Sequence, residues 1–202
     1  MYAVGAEQDV IAIPSQWLSY VSVEDAVATL KRAIVSGATP LGDVIEVPGV
    51  VTVAEFVDPA GAVCGLWQPG THIGASYLGE PGTLTWNDLL TPDPTEAASF
   101  YCDLFDWTFE TEELPSGTYH YFSSGKSHRA GVTRISREMR EETPSWRAHI
   151  GVRDLDHAKT KIIDLGGLVL AEASRVPGMG RRVAVEDPIG LNFMLTETAP
   201  HS

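Results

Sequence analysis

The chain has 202 residues with 14 basic and 27 acidic side chains, a formal net charge of −13, which excludes a nucleic-acid-binding module as the default because phosphate neutralisation needs a basic face. Its apolar fraction of 44% and charged fraction of 20% are those of a globular protein able to bury a core. No run approaches the ~18 apolar residues that span a bilayer, no basic residue before Lys31 opens a signal peptide, and Cys64 and Cys102 lack CxxC spacing, so a cytoplasmic protein without disulfide framework or structural zinc is expected.

In chain order, Ala3–Ile13 reads as one strand without the helix that should precede it. Trp17–Val23 reads as a strand and 25–36 as a helix stopped by Gly37; Pro48-Gly49 and Asp58-Pro59-Ala60-Gly61 then separate further strands. Thr83–Leu90 is the next strand, Asp93–Leu104 a helix capped by Asp93, and Trp107–Glu112, Thr118–Ser123 and His128–Ile135 three strands. In the last third, Ala148, Ile150 and Val152 alternate along Trp146–Val152, and Asp154 sits as an N-cap. Leu155, Ala158, Ile162, Ile163 and Leu165 lie at helical spacing over 155–165, and Gly166-Gly167 stops that helix. Leu168–Ala173, Arg181–Glu186 and Leu191–Thr196 follow as strands, punctuated by Pro177-Gly178 and Asp187-Pro188-Ile189-Gly190.

A repeat underlies this order. Residues 17–66 laid on 146–195 at an offset of 129 give 13 identities in 50 positions without a gap, mostly turn and cap residues such as Asp25/Asp154, Gly37/Gly166 and Asp58/Asp187. The chain therefore reads as three βαβββ units, the middle one diverged.

A βαβββ unit with a helix running from Asp93 to Phe100-Tyr101, the strand Trp86-Asn87-Asp88-Leu89, the turn Asp58-Pro59-Ala60-Gly61-Ala62 with Trp67, and the turn Asp187-Pro188-Ile189-Gly190 resembles the vicinal oxygen chelate superfamily of glyoxalase I, extradiol dioxygenases and bleomycin resistance proteins. It is more narrowly similar to tandem-domain, glyoxalase-like actinobacterial members, over about residues 3–197. The resemblance implies an α+β fold in which modules pair into curved, mostly antiparallel eight-stranded sheets holding the ligand on the concave side. Residues 77–202 then form a complete domain from modules 83–135 and 146–197. Residues 1–76 form an incomplete one, with an exposed concave face and a free edge; a homodimer covering both is expected.

Metal-binding members place one ligand seven residues before the helix-capping Asp and a Glu seven after the Asp of DPxG. Those positions hold Leu18, Trp86 and Arg147, then Gly65 and Met194, none with an oxygen or imidazole donor. A triad would have to come from other positions, such as His149, His128 and Asp88. No metal and no other cofactor is expected. Period-two alternation groups Trp86, Asp88 and Leu90, then Arg147, His149 and Gly151, then Asn192, Met194 and Thr196, on the sides that face the concavity in the superfamily. The expected site has His149, Asp88 and Arg147 as catalytic residues, with Trp86, Met194, Asn192, Tyr121 and His128 binding substrate. Each also has a structural reading: Trp86 as a wall residue, Asp88 and Arg147 as a cross-sheet ion pair, and His149 as a satisfied sheet histidine. The facing of His128 and Tyr121 is not fixed by the pattern. His72, His157 and His201 read as linker, exposed helix and tail, and Glu141-Glu142 with Arg137 and Arg140 as a solvated connector.

Three functions compete. The leading one is a metal-independent enzyme of secondary metabolism, an isomerase, dehydratase or cyclase acting on a hydrophobic or aromatic oxygenated small molecule, with His149 and Asp88 in acid–base roles and Arg147 on an enolate or carboxylate. The second is a drug-binding protein of the resistance type, for which the acidic chain would suit a cationic ligand. The third is a metal-dependent lyase or dioxygenase.

Overall fold

The structure, a computed structural model, describes residues 17–114, 117–136, 139, 142–176 and 180–198. The strand expected at Ala3–Ile13, the turn Pro177-Gly178, Arg137, Arg140, Glu141 and His201 lie outside them. The first unit comprises β1 (Tyr20–Ser22), α1 (Ala26–Val35), β2 (Thr39–Pro40), β3 (Ile45–Val47), β4 (Val51–Val57) and β5 (Val63–Pro69). The second comprises β6 (Leu84–Thr91), α2 (Pro94–Phe105), β7 (Thr108–Leu114), β8 (Gly117–Ser124) and β9 (Ser127–Arg134). The third comprises β10 (Ser145–Val152), α3 (Leu155–Asp164), β11 (Leu168–Val169), β12 (Ser174–Val176), β13 (Gly180–Glu186) and β14 (Asn192–Glu197).

Each helix begins where a carboxylate can take orphan N–H groups. Asp25 accepts from Ala28, Asp93 from Thr95 and Glu96, and Asp154 from His157. The strand expected over Leu168–Ala173 is interrupted: β11 and β12 both pair with β13, and residues between them leave the ladder. The first copy breaks at the same place. β2 and β3 both pair with β4, and the Leu41 N–H to Glu55 carbonyl bond (2.9 Å) recurs as Leu170 to Ala184 (2.9 Å). An interruption kept through a repeat is part of the unit's geometry.

Two sheets result. One has five strands in the order β1-β5-β4-β2 with β3 also on β4; the other has nine in the order β11-β13-β14-β10-β6-β9-β8-β7 with β12 also on β13. Pairing among the described strands is mostly antiparallel and is parallel at β1/β5, β6/β9 and β10/β14. This is the α+β, glyoxalase-like architecture that the resemblance implies. At the centre of the larger sheet β6 and β10 run antiparallel, setting Asp88 opposite Arg147 and Trp86 opposite His149.

One buried cluster joins the two sheets on their helical side. It holds Ala26, Phe56 and Leu66 from the first unit with Leu89, Phe100, Tyr101, Phe122 and Trp146. Each such large apolar side chain, fully buried, contributes about 1.5–3 kcal/mol. The polar tips within it are matched: the Tyr101 hydroxyl donates to Asp58 Oδ2 (2.9 Å) and accepts from Trp146 Nε1 (3.0 Å), while Asp58 Oδ1 caps its own turn by accepting from Ala60, Gly61 and Ala62. A smaller cluster of Leu155, Val183, Val185 and Leu195 seats α3. Among the described residues no helix is long and apolar enough to cross a membrane.

Candidate functional site

The register fixes which residues share the concave face. The 129-residue offset carries the β1/β5 pair Tyr20 and Gly65 onto the β10/β14 pair His149 and Met194, and β6 and β9 supply the third version, Asp88 beside Gly131. The expected first-ligand positions are thus Leu18, Trp86 and Arg147, and the second Gly65, Gly131 and Met194. The last set gains Gly131, which no turn motif marks in the sequence. In the larger sheet these positions offer an indole, a guanidinium, a thioether and a bare Cα, and no hard donor. Among the described residues no three His, Cys, Asp or Glu side chains converge as a metal set. The donors present do not fit the divalent ion that metal-binding members of the superfamily hold.

Asp88 stands at the centre instead. It is 4% exposed and accepts four hydrogen bonds: Tyr119 hydroxyl (2.7 Å) and Trp86 Nε1 (3.1 Å) on Oδ1, His149 Nε2 (3.1 Å) and Arg182 Nη1 (3.0 Å) on Oδ2. A carboxylate has about four lone-pair positions, and all are used. Burial alone would raise this carboxyl, but the bond and charge of His149, the Arg182 charge and the Tyr119 hydroxyl outweigh it and lower it to about 2. Burial, and after it the Asp88 charge, pushes the Tyr119 phenol far above its ordinary range, so it serves as a neutral donor. Gly131 makes the arrangement possible. A Cβ there would lie 1.8 Å from Asp88 Oδ1 and 1.9 Å from the Tyr119 hydroxyl oxygen.

His149 is 1% exposed, with both ring nitrogens engaged. Since the carboxylate only accepts, Nε2 carries the proton toward Asp88; Nδ1 meets the Thr196 hydroxyl at 3.0 Å. The acid–base roles expected for His149 and Asp88 therefore meet a geometry in which neither offers a free lone pair to a substrate.

Above this floor opens a cleft of about 790 Å³, lined among others by Asp88, Leu90, Arg147, Arg182, Val183 and Met194. It adjoins a second hollow of about 520 Å³ that shares Thr133, Ser174 and Arg182 and adds Tyr119, Arg134 and Arg175. Arg147 does not pair with Asp88 across the sheet. It bonds Glu142, and Arg182 from β13 takes the Asp88 position. Glu142 is accordingly not a solvated connector residue: its side chain is part-buried and occupied. Arg182 also lies over the Tyr119 ring, 5.8 Å from its centroid.

Of the expected residues, Asp88, Arg147 and Met194 line the cleft, Trp86 and His149 join them through hydrogen bonds to Asp88, and Asn192, His128 and Tyr121 are placed elsewhere on the sheet. Asn192 is exposed at the start of β14, opposite Glu186. His128 bonds Ser123 Oγ (3.0 Å) on an irregularity of the β8/β9 hairpin, and the Tyr121 ring packs against it at 4.2 Å, with Tyr121 opposite Gly131 in register. Sequence reasoning missed Arg182 and Tyr119. The apolar parity of Val183 and Val185 does point Arg182 inward; for Tyr119, with Tyr121 and Phe122 both nearby and aromatic, parity is ambiguous.

Comparison with known proteins agrees with this architecture. A family model described as a glyoxalase-like domain matches residues 85–196. The chain is 31% identical over 189 residues, 93% of its length and 72% of the relative's, to CFP32 of Mycobacterium tuberculosis, a glyoxylase by name. It is 30% identical over 193 residues, 96% of the chain and 70% of the relative, to the anthracycline biosynthesis protein DnrV of Streptomyces peucetius. Among solved structures, the Mn(II)-bound glyoxalase from Novosphingobium aromaticivorans superposes with a TM-score of 0.59 at 13% identity, over 90% of this chain and 62% of that one. The 2,3-dioxygenase LapB from Pseudomonas sp. KL28 gives 0.55 at 15% identity, over 88% and 68%. The chain belongs to the glyoxalase-like domain family, within the vicinal oxygen chelate superfamily.

Proposed function

We propose that this protein binds a hydrophobic, oxygenated small molecule of secondary metabolism in the 790 Å³ cleft and, without a metal, stabilises an enolate-like form of it during an isomerisation, dehydration or cyclisation, the proton lost from carbon passing to solvent water in the cleft. The observation that carries this reading is the exchange of every metal-ligand position for a non-donor, with two guanidiniums set into the same concavity. Arg147 and Arg182 meet the substrate; Asp88 and His149 act as positioning residues that hold Arg182, Trp86 and Tyr119. The kinship with a protein named for anthracycline biosynthesis supports the metabolic setting. Work in the cytoplasm as a homodimer belongs to the same proposal. Among the described residues β1 pairs with β5 on one side only, whereas the equivalent strands β6 and β10 pair with each other.

The saturation of Asp88 and His149 favours a second reading, binding without chemistry. Native mass spectrometry of protein purified without chelator separates these. A co-purified organic compound at one per chain and no stoichiometric Ni, Zn, Fe or Mn is the expected result; a retained equivalent of metal refutes the proposal. Deuterium incorporated from D2O into that compound by the protein marks the enzymatic reading, and its absence marks sequestration.

A further inference from the structure

The protein has 14 basic side chains against 27 acidic ones, yet Arg134, Arg147, Arg175 and Arg182 line the two adjoining hollows. The acids lining the larger hollow are Asp88, Glu142 and Glu172, and Arg134 pairs with Asp93 at 4.0 Å. Asp88 is saturated, and Glu142 is bound to Arg147. The concavity is therefore close to charge balance in a protein of net charge −13, and it turns cationic where Glu142 leaves Arg147, a distribution that draws an anion to that point.

The two central arginines are held differently. Arg182 gives one N–H to Asp88 and lies over Tyr119, so its guanidinium plane is fixed by two contacts while its other donors have no partner among the described residues. Arg147 sits on β10, cross-strand from Asp88, and its side chain is 11% exposed. Its partner Glu142 belongs to no strand. It comes from the connector ahead of β10, where its N–H bonds the Met139 carbonyl, and its side chain is 30% exposed. A carboxylate delivered by a connector to an otherwise buried guanidinium is replaceable by an incoming carboxylate of the same geometry.

Resting on the binding reading above, the geometry points to a ligand carrying an anionic oxygen, a carboxylate or an ionised enol, that displaces Glu142 from Arg147 and lies between Arg147 and Arg182. Its planar apolar body rests on Met194, Leu90 and Ala184, which line the same cleft. Glu142 is then an internal counter-anion that weakens binding of neutral analogues little and of anions directly, since only anions compete for its guanidinium.

Isothermal titration with 2-naphthoate and uncharged 2-naphthamide tests this on the full chain. The wild type is expected to bind the carboxylate about tenfold more tightly than the amide, as one charge-assisted contact requires. Glu142→Gln should tighten naphthoate binding about five- to tenfold and leave naphthamide unchanged, and Arg147→Met should abolish the discrimination; thermal melts confirm that both variants fold. Equal binding of the two probes by the wild type, or weaker naphthoate binding by Glu142→Gln, overturns the displacement mechanism while leaving the small-molecule reading intact. Failure of both probes to bind overturns both.

Discussion

Replacing Asp88 by Asn tests the centre of the site without changing its volume. The native carboxylate accepts from Tyr119, Trp86, His149 and Arg182 while only 4% exposed. An amide has one accepting oxygen and presents two N–H groups, so at least one of the four donors is left facing another donor, and Arg182 loses its counter-charge. Removing one partner of a buried pair costs about 3–5 kcal/mol. Arg182 keeps a path to the cleft, its side chain being 15% exposed, so the lower end applies, about 3 kcal/mol. The carboxyl's fall from 3.8 to about 2 gives an independent figure of about 2 kcal/mol at roughly 1.4 kcal/mol per pH unit. For a chain of this size, 2–3 kcal/mol lowers Tm by roughly 4–12 °C. The sign with pH follows from the depressed folded pKa. The contribution is whole above the unfolded value near 3.8 and is lost as pH falls through about 2, so the gap between wild type and Asp88→Asn should be constant from pH 7 to about 5 and shrink below 4. Urea titrations followed by tryptophan fluorescence and far-UV circular dichroism measure it. A gap under ~0.5 kcal/mol at pH 7, within the range of an ordinary surface substitution, refutes the account of Asp88 as the hub of the floor. A gap of full size at pH 2.5 refutes its electrostatic origin.

Two further substitutions probe how the floor and the shared core are held. Tyr101→Phe removes the hydroxyl between Asp58 and Trp146, leaving a buried indole N–H without an acceptor, and should cost about 2–3 kcal/mol in a denaturant titration; a loss below ~0.5 kcal/mol would mean that the bridge between first and later units is incidental. Gly131→Ala drives a methyl into the Asp88–Tyr119 hydrogen bond, at 1.8 and 1.9 Å from its two oxygens, and is expected to destabilise by roughly 3 kcal/mol or more and to shift the emission of Trp86, which shares Asp88 Oδ1; an unchanged melt and spectrum would show that β9 can shift freely.

What the sequence made legible was whatever is set by local chemistry and period. Asp25, Asp93 and Asp154 cap helices because a short carboxylate before an amphipathic run has one favourable use, and counting from them leads to Trp86 and Arg147 on the two strands that meet at the centre of the larger sheet. Counting failed at Gly131, because the middle unit has no DPxG turn; only its pairing with Asp88 reveals the position. Alternation told which way side chains face but not how deep they lie. His149 and Arg147 share one face of β10, yet His149 is sealed by Asp88 and Thr196 while Arg147 opens to the cleft. Nor does alternation encode partners across a curved sheet. Asp88 and Arg147 are opposite in register, but β13 lies beyond β14 and β10, and it is Arg182 from that third strand over that reaches Asp88. The same position across the three units argues that this is a general property of the scaffold: it holds Asp88, His149 and Tyr20, and Tyr20 lays its ring so close over Gly65 that a Cβ there would be 2.3 Å from it. One backbone position thus serves as acceptor hub, buried donor and apolar lid, its role set by what stands beside it on neighbouring strands. Function in this fold therefore follows from which side chains the curvature brings together, and the repeat that discloses the fold is silent about them.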